Sequence, residues 1–453
     1  MNGEFPFFFG QIHMKIAIPL LIVAAQTAQP DTTRLSLEAA IDRALEANPS
    51  LMAQRATADA AGALPQKASK AFLPSIDLGL IGVRTTDPVG VFGLKLRQGN
   101  FAMGDFDIPA LNNPDPYGGW DAVATAQLPI LVPEGLYGYA AARKAAQAQA
   151  AATGYATAAT RFLVIRAYWD AQLAARQVET LDSALTAVRA HRRQAEAMRD
   201  QGLVTGLDAR FAGLKASELE VQRLAVAAHA RNALTALHAM LALPDGVVVV
   251  LTDSLRSAAP NSTCMAADRS CGLEARGDLE AYRLGESAAN LAVKRAWASQ
   301  LPAIAAFGSV AHHAQGAPFG SGSGDWTVGI GVRWPIFHGL SGAGNVNAAK
   351  AEHRAATAQL EAAERQAALE VQQARDMLGA ASERVTVASQ AEGEAQVALA
   401  QARLRYETGA APITELLDIQ AATTAATLNH LAARRDLFVA AAALDLAYGV
   451  NDR

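Results

Sequence analysis

The sequence contains one unusual pattern twice, and an internal duplication limits the architecture more than any single motif does. Residues 120–129 read WDAVATAQLP, and residues 326–335 read WTVGIGVRWP. A shorter apolar segment that opens with Leu-Pro precedes each run, at Leu73 and at Leu301. A glycine-containing bend and a very long alanine-rich stretch follow each run. Each half therefore reads as a helix, two strands and a pair of long helices, which is not the pattern of a soluble enzyme.

The duplication predicts two repeats joined by a linker. We expect the first repeat at 26–245, the linker at 246–274 and the second repeat at 275–453. Each repeat should end in a long helical hairpin, with its tip near residue 202 or near residue 409. The predicted strands lie near residues 74–86, 120–129, 302–312 and 326–335.

The N-terminal segment has the pattern of a secretory signal. Lys15 precedes a short apolar run, and small residues at the end of that run would allow cleavage before Gln26. We therefore predict a signal peptide at 1–25, with Met14 as the true start. The run is too short to cross a bilayer as a helix. The alternative is an apolar tail with no targeting role.

The chain has two cysteines, Cys264 and Cys271, in a polar stretch of the linker. In an oxidising compartment they could form a disulfide that closes a small local loop. Two free thiols are the alternative. A metal site is disfavoured because the other ligands that a zinc site needs are missing nearby.

The second of the two repeated runs alternates sharply between apolar and small or polar residues. Side chains along a strand alternate between its faces, so one face should be apolar with an aromatic residue at each end. A lipid-facing strand requires this arrangement, and Arg333 on the other face would point into a wet interior. The predicted lipid-facing residues are Trp326, Val328, Ile330, Val332 and Trp334.

Only four strands are predicted in the whole chain. Four strands cannot close a barrel, and open sheet edges do not survive in lipid. The chain must therefore oligomerise if its strands lie in a membrane. The alternative is an amphipathic strand in a soluble sandwich. The insertions between paired strands, 87–119 and 316–324, are expected to be loops.

Two stretches almost without proline, 134–200 and 339–406, predict very long helices. Each could reach about 100 Å if it were continuous. Polar residues interrupt their apolar seams, which suits helices that turn one side to a water-filled interior. The solvated faces of a plain helical bundle would produce the same pattern.

Glycine turns predict where each long helix reverses into its return helix. Gly202 and Gly409 can take the positive φ that ends a helix. Thr205 with Asp208 matches a capping box, and Pro412 suits a first helical turn. These turns lie farthest from the predicted strands, so they should form the far tip of the molecule.

Composition and motifs argue against catalysis and nucleic-acid binding. The formal net charge is −4, and no basic block with interleaved aromatic residues is present. His312-His313 is the one close histidine pair, and it has no carboxylate at ligand spacing. The sequence contains no zinc-protease, nucleophile-elbow or phosphate-loop motif. We predict that the chain is not an enzyme and uses no cofactor or metal.

Three features together resemble the TolC family of outer-membrane efflux channels. They are the repeated strand-to-long-helix units, the opening LSLEAAIDRALEANPSL at 35–51 and the tip sequence RYETGAAPITELLDIQ at 405–420. The resemblance implies an α+β membrane protein that forms a homotrimer. Its twelve strands, four per chain, would build one β-barrel in the outer membrane, continued by an α-helical barrel in the periplasm. The expected partners are a periplasmic adaptor and an inner-membrane pump.

In this family the helical tips close the duct, and acidic side chains ring the constriction. By motif position, the resemblance implies that Glu415 and Asp418 form this ring, with Asp208 and Tyr406 among the tip contacts. The alternative is that they are ordinary first-turn acids, since Asp208 and Glu415 also complement a helix N-terminus, and both can be true at once. Ala411 stands where relatives carry a tip arginine, so a salt-bridge lock at that position is not expected.

The function classes that remain are a passive efflux duct, a type I secretion channel and a periplasmic adaptor or structural coiled coil without a pore. The lipid-facing strand favours a channel over an adaptor. Drug-type efflux is preferred over polypeptide secretion on frequency alone. The sequence does not identify the transported substrate, the adaptor or the pump.

Overall fold

The computed structural model describes residues 32–202, 204–244, 246–256, 264 and 272–450. The predicted signal peptide at 1–25, including Met14, lies outside these residues. Of the predicted disulfide pair, Cys264 is disulfide-bonded, whereas Cys271 lies outside the described residues. The helices are α1 Leu37–Ala47, α2 Pro49–Gly62, α3 Leu64–Ala68, α4 Pro88–Arg97, α5 Ile108–Asn112, α6 Pro133–Asp200, α7 Gly206–Met240, α8 Gly277–Ala298, α9 Ser341–Glu407 and α10 Ile413–Ala447.

Two long helical hairpins dominate the molecule. Helix α6 has 68 residues and α9 has 67, so each extends about 100 Å. Their return helices, α7 and α10, each have 35 residues. Gly202 and Gly409 follow the long helices with φ of +73° and +72°, a conformation that glycine adopts without a Cβ penalty. None of the helices in the described part of the chain combines the length and apolar character needed to cross a bilayer.

The main sheet has four antiparallel strands, two from each half of the chain. They are β2 Ser75–Thr85, β3 Tyr117–Leu131, β5 Ala303–Ala314 and β6 Gly322–Arg333, hydrogen-bonded in that order. The strands lie close to the expected positions, with two differences. Strand β3 begins three residues earlier than expected. Strand β6 begins four residues earlier and ends at Arg333, so Trp334 lies just beyond the strand.

The four strands per chain expected for the barrel are present in this one sheet, and the described residues contain a second, smaller sheet besides. Two further strands, β1 Thr32–Leu35 and β4 Val248–Leu251, form a small parallel sheet that joins the start of the described chain to the inter-repeat linker. Each strand has four residues, and they are far apart in sequence, so no local pattern indicates the pairing. The insertion after β2 also differs from a plain loop, because it contains α4 and α5.

The hairpins share two apolar cores at different heights. In the core near the small sheet, Trp169 of α6 stacks on Phe438 of α10, with ring centroids 4.1 Å apart. The neighbouring Tyr168 donates its hydroxyl to Asp253 at 2.6 Å. A second core, hereafter the tip core, fills the hairpin ends and contains side chains from α6, α7, α9 and α10. The intervening length of each helix is held by smaller contacts.

One buried arginine joins the start of the second repeat to its helices. Arg276 has 3% of its side chain exposed and donates to Asp278, to Glu370 at 2.8 Å and to the carbonyl of Ala447 at 3.2 Å. These partners lie on α8, α9 and α10. A buried guanidinium with such partners fixes the relative position of three helices.

Arg276→Gln should therefore lower stability by about 2 to 3 kcal/mol, because it leaves two carboxylates without their cation. Urea titration of the folded protein in detergent, followed by circular dichroism, measures this loss. Arg365→Gln is the matched control, since Arg365 is 83% exposed and has a single 3.4 Å pair. Equal effects of the two substitutions would contradict a special role for Arg276.

Candidate functional site

One face of the four-stranded sheet is apolar and exposed. Leu78, Ala124, Val310 and Trp326 lie directly opposite one another across the four strands. Leu78 is 84% exposed and Trp326 is 71% exposed. Along β6 the other residues of this face, Val328, Ile330 and Val332, are 66 to 72% exposed. An apolar surface this continuous requires a nonaqueous neighbour.

The opposite face of the same sheet, hereafter the polar face, carries most of the polar side chains of the sheet, together with the exposed apolar side chains of Ile81, Val83 and Phe307. The next row across the strands consists of Asp77, Thr125, Ser309 and Thr327. The change from an apolar row to a polar row over one residue is what a lipid-facing strand with a wet interior requires. In these two rows the alternation predicted for β6 is also present in the other three strands.

The polar face also contains His313, a member of the histidine pair that has no carboxylate at ligand spacing in the sequence. His313 of β5 is buried, and its Nδ1 lies 2.7 Å from Asp121 of β3. Its Nε2 lies 3.0 Å from Asp325 of β6. The two carboxylates are on opposite sides of the ring, so the group ties three strands together and does not form a chelating site. Only the strand register brings these residues together, so no local pattern in the sequence indicates the contact.

Trp334, predicted at the end of the lipid-facing row, occupies a different position. It follows the last residue of β6 and is 61% exposed. Its indole Nε1 donates to the carbonyl of Gln300 at 3.2 Å. This bond anchors the ring where the strand gives way to the helical region. An amphipathic aromatic ring at such a boundary suits a membrane interface.

The sheet has two open edges within the chain. Strands β2 and β6 are the outer members, and each pairs with one neighbour among the described residues. Their lengths, 11 and 12 residues, match the span of a tilted membrane strand. Unpaired backbone groups along strands of this length need partners.

The far ends of the hairpins contain the residues assigned to the gate. Asp208 accepts a hydrogen bond from the backbone N–H of Thr205 at 3.1 Å, which forms the predicted capping box of α7. Pro412 lies at the N-cap of α10, one residue before the expected first turn. The Asp208 carboxylate therefore already caps its own helix, α7, in this protomer.

The two predicted ring acids differ in their surroundings. Glu415 of α10 forms an ion pair of 2.6 Å with Arg405 of α9, across the Gly409 turn. Asp418 is exposed one turn farther along α10. Ala411 donates its backbone N–H to the carbonyl of Arg405 at 3.1 Å. Sequence reasoning missed Arg405, although its position ten residues before Glu415, across a glycine turn, was a usable signal.

Tyr406 is a core residue of the tip. Its side chain is 3% exposed and packs in the tip core beside Ile413 and Leu416. Its hydroxyl has no hydrogen-bond partner among the residues that the structure describes. Burial raises the pKa of Tyr406, and the negative charge of Asp208 raises it further. Tyr406 therefore packs inside its own protomer at the tip.

Comparison with known proteins identifies the family. The sequence profile described as outer membrane efflux protein matches residues 40–243 and 272–450. The chain belongs to the outer membrane efflux protein family. This confirms the resemblance to TolC-like channels and places the protein in the outer membrane. No curated protein matches the chain at a significant level.

Solved structures of similar fold cover nearly the whole chain. The outer membrane protein VceC of Vibrio cholerae is 21% identical over 91% of this chain and 96% of its own, with a TM-score of 0.72. The CmeC outer membrane channel of Campylobacter jejuni is 16% identical over 91% and 85%, with a TM-score of 0.76. The MtrE outer membrane channel of Neisseria gonorrhoeae, solved in an open state, is 20% identical over 91% and 88%, with a TM-score of 0.72.

A charge on the apolar face of the sheet should block membrane assembly. Ile330→Lys should destabilise the assembled protein by about 2 to 4 kcal/mol, because the ammonium group would face hydrocarbon. Thr327→Lys is the matched control on the polar face of the same strand. Fractionation of outer membranes, with folded protein scored on unheated gels, measures the difference. Equal assembly of both variants would contradict a lipid-facing role for this row.

Proposed function

We propose that the protein is a passive exit duct of a tripartite efflux system. Three copies would form a twelve-stranded β-barrel in the outer membrane, continued by an α-helical barrel in the periplasm. An inner-membrane pump and a periplasmic adaptor would deliver small molecules to the helical tip. The observation that carries this proposal is the two-faced sheet, which has two open edges and is joined to hairpins about 100 Å long. No chemical step is assigned to the chain.

The open edges of the sheet support the trimer. Pairing β2 of one copy with β6 of the next satisfies both edges at once. The contact joins two different surfaces, so repeating it with rotation generates a closed ring. Three copies of four strands give twelve, enough to enclose an interior lined by the polar face.

The helices support the same ring. Within one protomer α6 packs against α10, which leaves α7 and α9 as the outer members of the two hairpins. Helix α7 exposes Leu207, Leu214 and Val221 at seven-residue spacing, and α9 exposes Val397 and Leu404 at the same spacing. Apolar residues at this spacing are typical of a coiled-coil seam. We propose that α9 of one copy packs against α7 of the next copy, in the same rotational sense as β6 against β2.

The closed tip is proposed to depend on two separate features of α10. Asp418, exposed in each copy, would contribute to an acidic ring near the axis of the trimer and attract cations. Glu415 would join that ring only when released from Arg405, because the two side chains are paired in this protomer. The Arg405–Glu415 pair thus takes the place of a lock at Ala411.

Single-channel conductance in planar bilayers tests the duct and its ring together. The assembled protein should give small, cation-selective openings, and Glu415→Ala/Asp418→Ala should lose the cation preference. Glu383→Ala removes an exposed acid of α9 away from the tip and should leave selectivity unchanged.

Two failures of this experiment have different meanings. Folded trimers that conduct no ions would contradict the duct. A pore whose selectivity is the same in the double variant would retain the duct and exclude Glu415 and Asp418 as its ring.

Loss of the Arg405–Glu415 pair should loosen the closed tip. Arg405→Ala should raise the open probability about two- to fivefold, since a partly exposed ion pair contributes about 0.5 to 1 kcal/mol. Arg384→Ala breaks another α9–α10 pair, to Asp436 at 2.9 Å, away from the tip, and is the control. Bilayer recordings at fixed voltage provide the measurement. An unchanged open probability in Arg405→Ala would exclude this pair as the lock.

A further inference from the structure

Two buried polar atoms in the tip lack hydrogen-bond partners among the described residues. They are Nε2 of His191 on α6 and the hydroxyl oxygen of Tyr406 on α9. A buried polar group without a partner is less stable than the same group hydrogen-bonded to water. Both residues therefore favour any arrangement of the hairpins that gives them access to water.

His191 points into the tip core. It follows Val188 by three residues and precedes Ala195 by four, and both of these residues are fully packed members of the core. Residues at this spacing lie on the same face of a helix. The residue as a whole is partly exposed, but its Nε2 is buried on this side of α6, next to the tip core.

The charges around His191 come mainly from α9. Burial lowers the pKa of His191, the positive charge of Arg403 lowers it further, and Glu407 acts in the opposite direction. Arg403 also donates to Gln420 of α10 at 3.3 Å. These groups favour the neutral imidazole while the hairpins are packed together.

Several other charged groups of this region have partners of their own. On α6, Arg192 pairs with Glu196 at 2.9 Å. On α7, Asp208 acts on Tyr406 and caps its own helix. On α10, Glu415 pairs with Arg405.

We propose that His191 is a proton sensor that couples acidification of the periplasm to opening of the tip. The inference rests on the proposed duct, because it assigns a trigger to the closure of that duct. The uncharged ring of His191 can pack against the tip core, whereas the protonated ring requires contact with water. No established role of the gate acids or of the pump is needed for this coupling.

The direction of the effect follows from where the proton binds more strongly. In an open tip, with His191 in water, the imidazole has its ordinary pKa of about 6.5. In the closed tip its pKa is lower, so the open state takes up a proton first as the pH falls. The closed tip thus loses stability as the pH falls below about 6.5, until the pKa of the closed state is reached. Across that window the ratio of open to closed tips can rise by at most about tenfold per pH unit for each subunit.

Tyr406 does not carry this response. Its pKa is raised above the ordinary phenol value, so it stays protonated over the pH range in which the histidine titrates. Its unpartnered hydroxyl adds a constant preference for hydration at every pH. Removing it would shift the gate without changing the shape of the pH profile.

The decisive experiment compares pH profiles of the intact trimer by two readouts. Open probability in planar bilayers and hydrogen exchange of the tip helices are measured between pH 5.5 and 7.5, with exchange rates corrected for their intrinsic pH dependence. The unaltered protein and His229→Gln should open several-fold more at pH 5.5. His229 is an exposed histidine of α7 and serves as the matched control. His191→Gln should give a flat profile in both readouts.

Each outcome decides the matter. A pH response that survives in His191→Gln, or a flat profile in the unaltered protein, would overturn the sensor while leaving the duct intact. If His191→Gln does not assemble, the exchange profile of the unaltered protein still decides, because an unchanged tip at pH 5.5 contradicts the proposal. Absence of any conductance, with normal exchange protection of the tip, would refute the duct and would not by itself refute the sensor.

Discussion

The alternation of rows across the four-stranded sheet is the constraint on which the rest of the structure depends. A row of Leu78, Ala124, Val310 and Trp326 lies next to a row of Asp77, Thr125, Ser309 and Thr327. One row requires a nonaqueous surface and the other requires water, so the sheet must separate the two. Neither requirement can be met by a single copy, because both edge strands remain open. The duplication in the sequence supplies two strand pairs per chain, and pairing between copies is proposed to complete the enclosure.

The helices are held together by contacts that are concentrated at a few places. Its apolar contacts are concentrated in separate cores, one around Trp169 and Phe438 and one at the tip. Arg276 fixes the base of the second repeat through three polar contacts. The tip contrasts with these well-satisfied contacts, because buried polar atoms of His191 and Tyr406 have no partner in the described part of the chain. Buried polar atoms without partners lower the stability of the packed tip. The tip is therefore suited to the movement that a gate requires.

Local patterns were sufficient to predict most of the architecture. The period of two around Trp326 predicted a lipid-facing strand, and glycines at 202 and 409 predicted the hairpin tips. Those features depend on residues close together in sequence. Trp334 was predicted to lie in the strand but follows its last residue, Arg333. An aromatic residue at the correct spacing does not show where pairing with β5 stops.

Contacts between distant residues could not be predicted in this way. The β1–β4 sheet, the Arg276 cluster and the His313 group each join segments that only the folded chain brings together. The same holds for His191, which looks like one polar residue on a long helix until its packing is known. The assignments of Glu415 and Asp418 to a gate came from family resemblance and stay predictions.

Disulfide cross-linking between edge strands tests the central claim most directly. With both native cysteines replaced by serine, one cysteine is placed in β2, at Asp77 or Ile81, and one in β6, at Asp325 or Thr327. Within one chain two strands separate these positions, so the Cα atoms are about 14 Å apart and cannot form a disulfide. If β2 of one copy pairs with β6 of the next, oxidation of the assembled protein should give a covalent trimer for at least one combination. Folded protein that gives no cross-link between chains for any combination would contradict a barrel closed by β2 and β6.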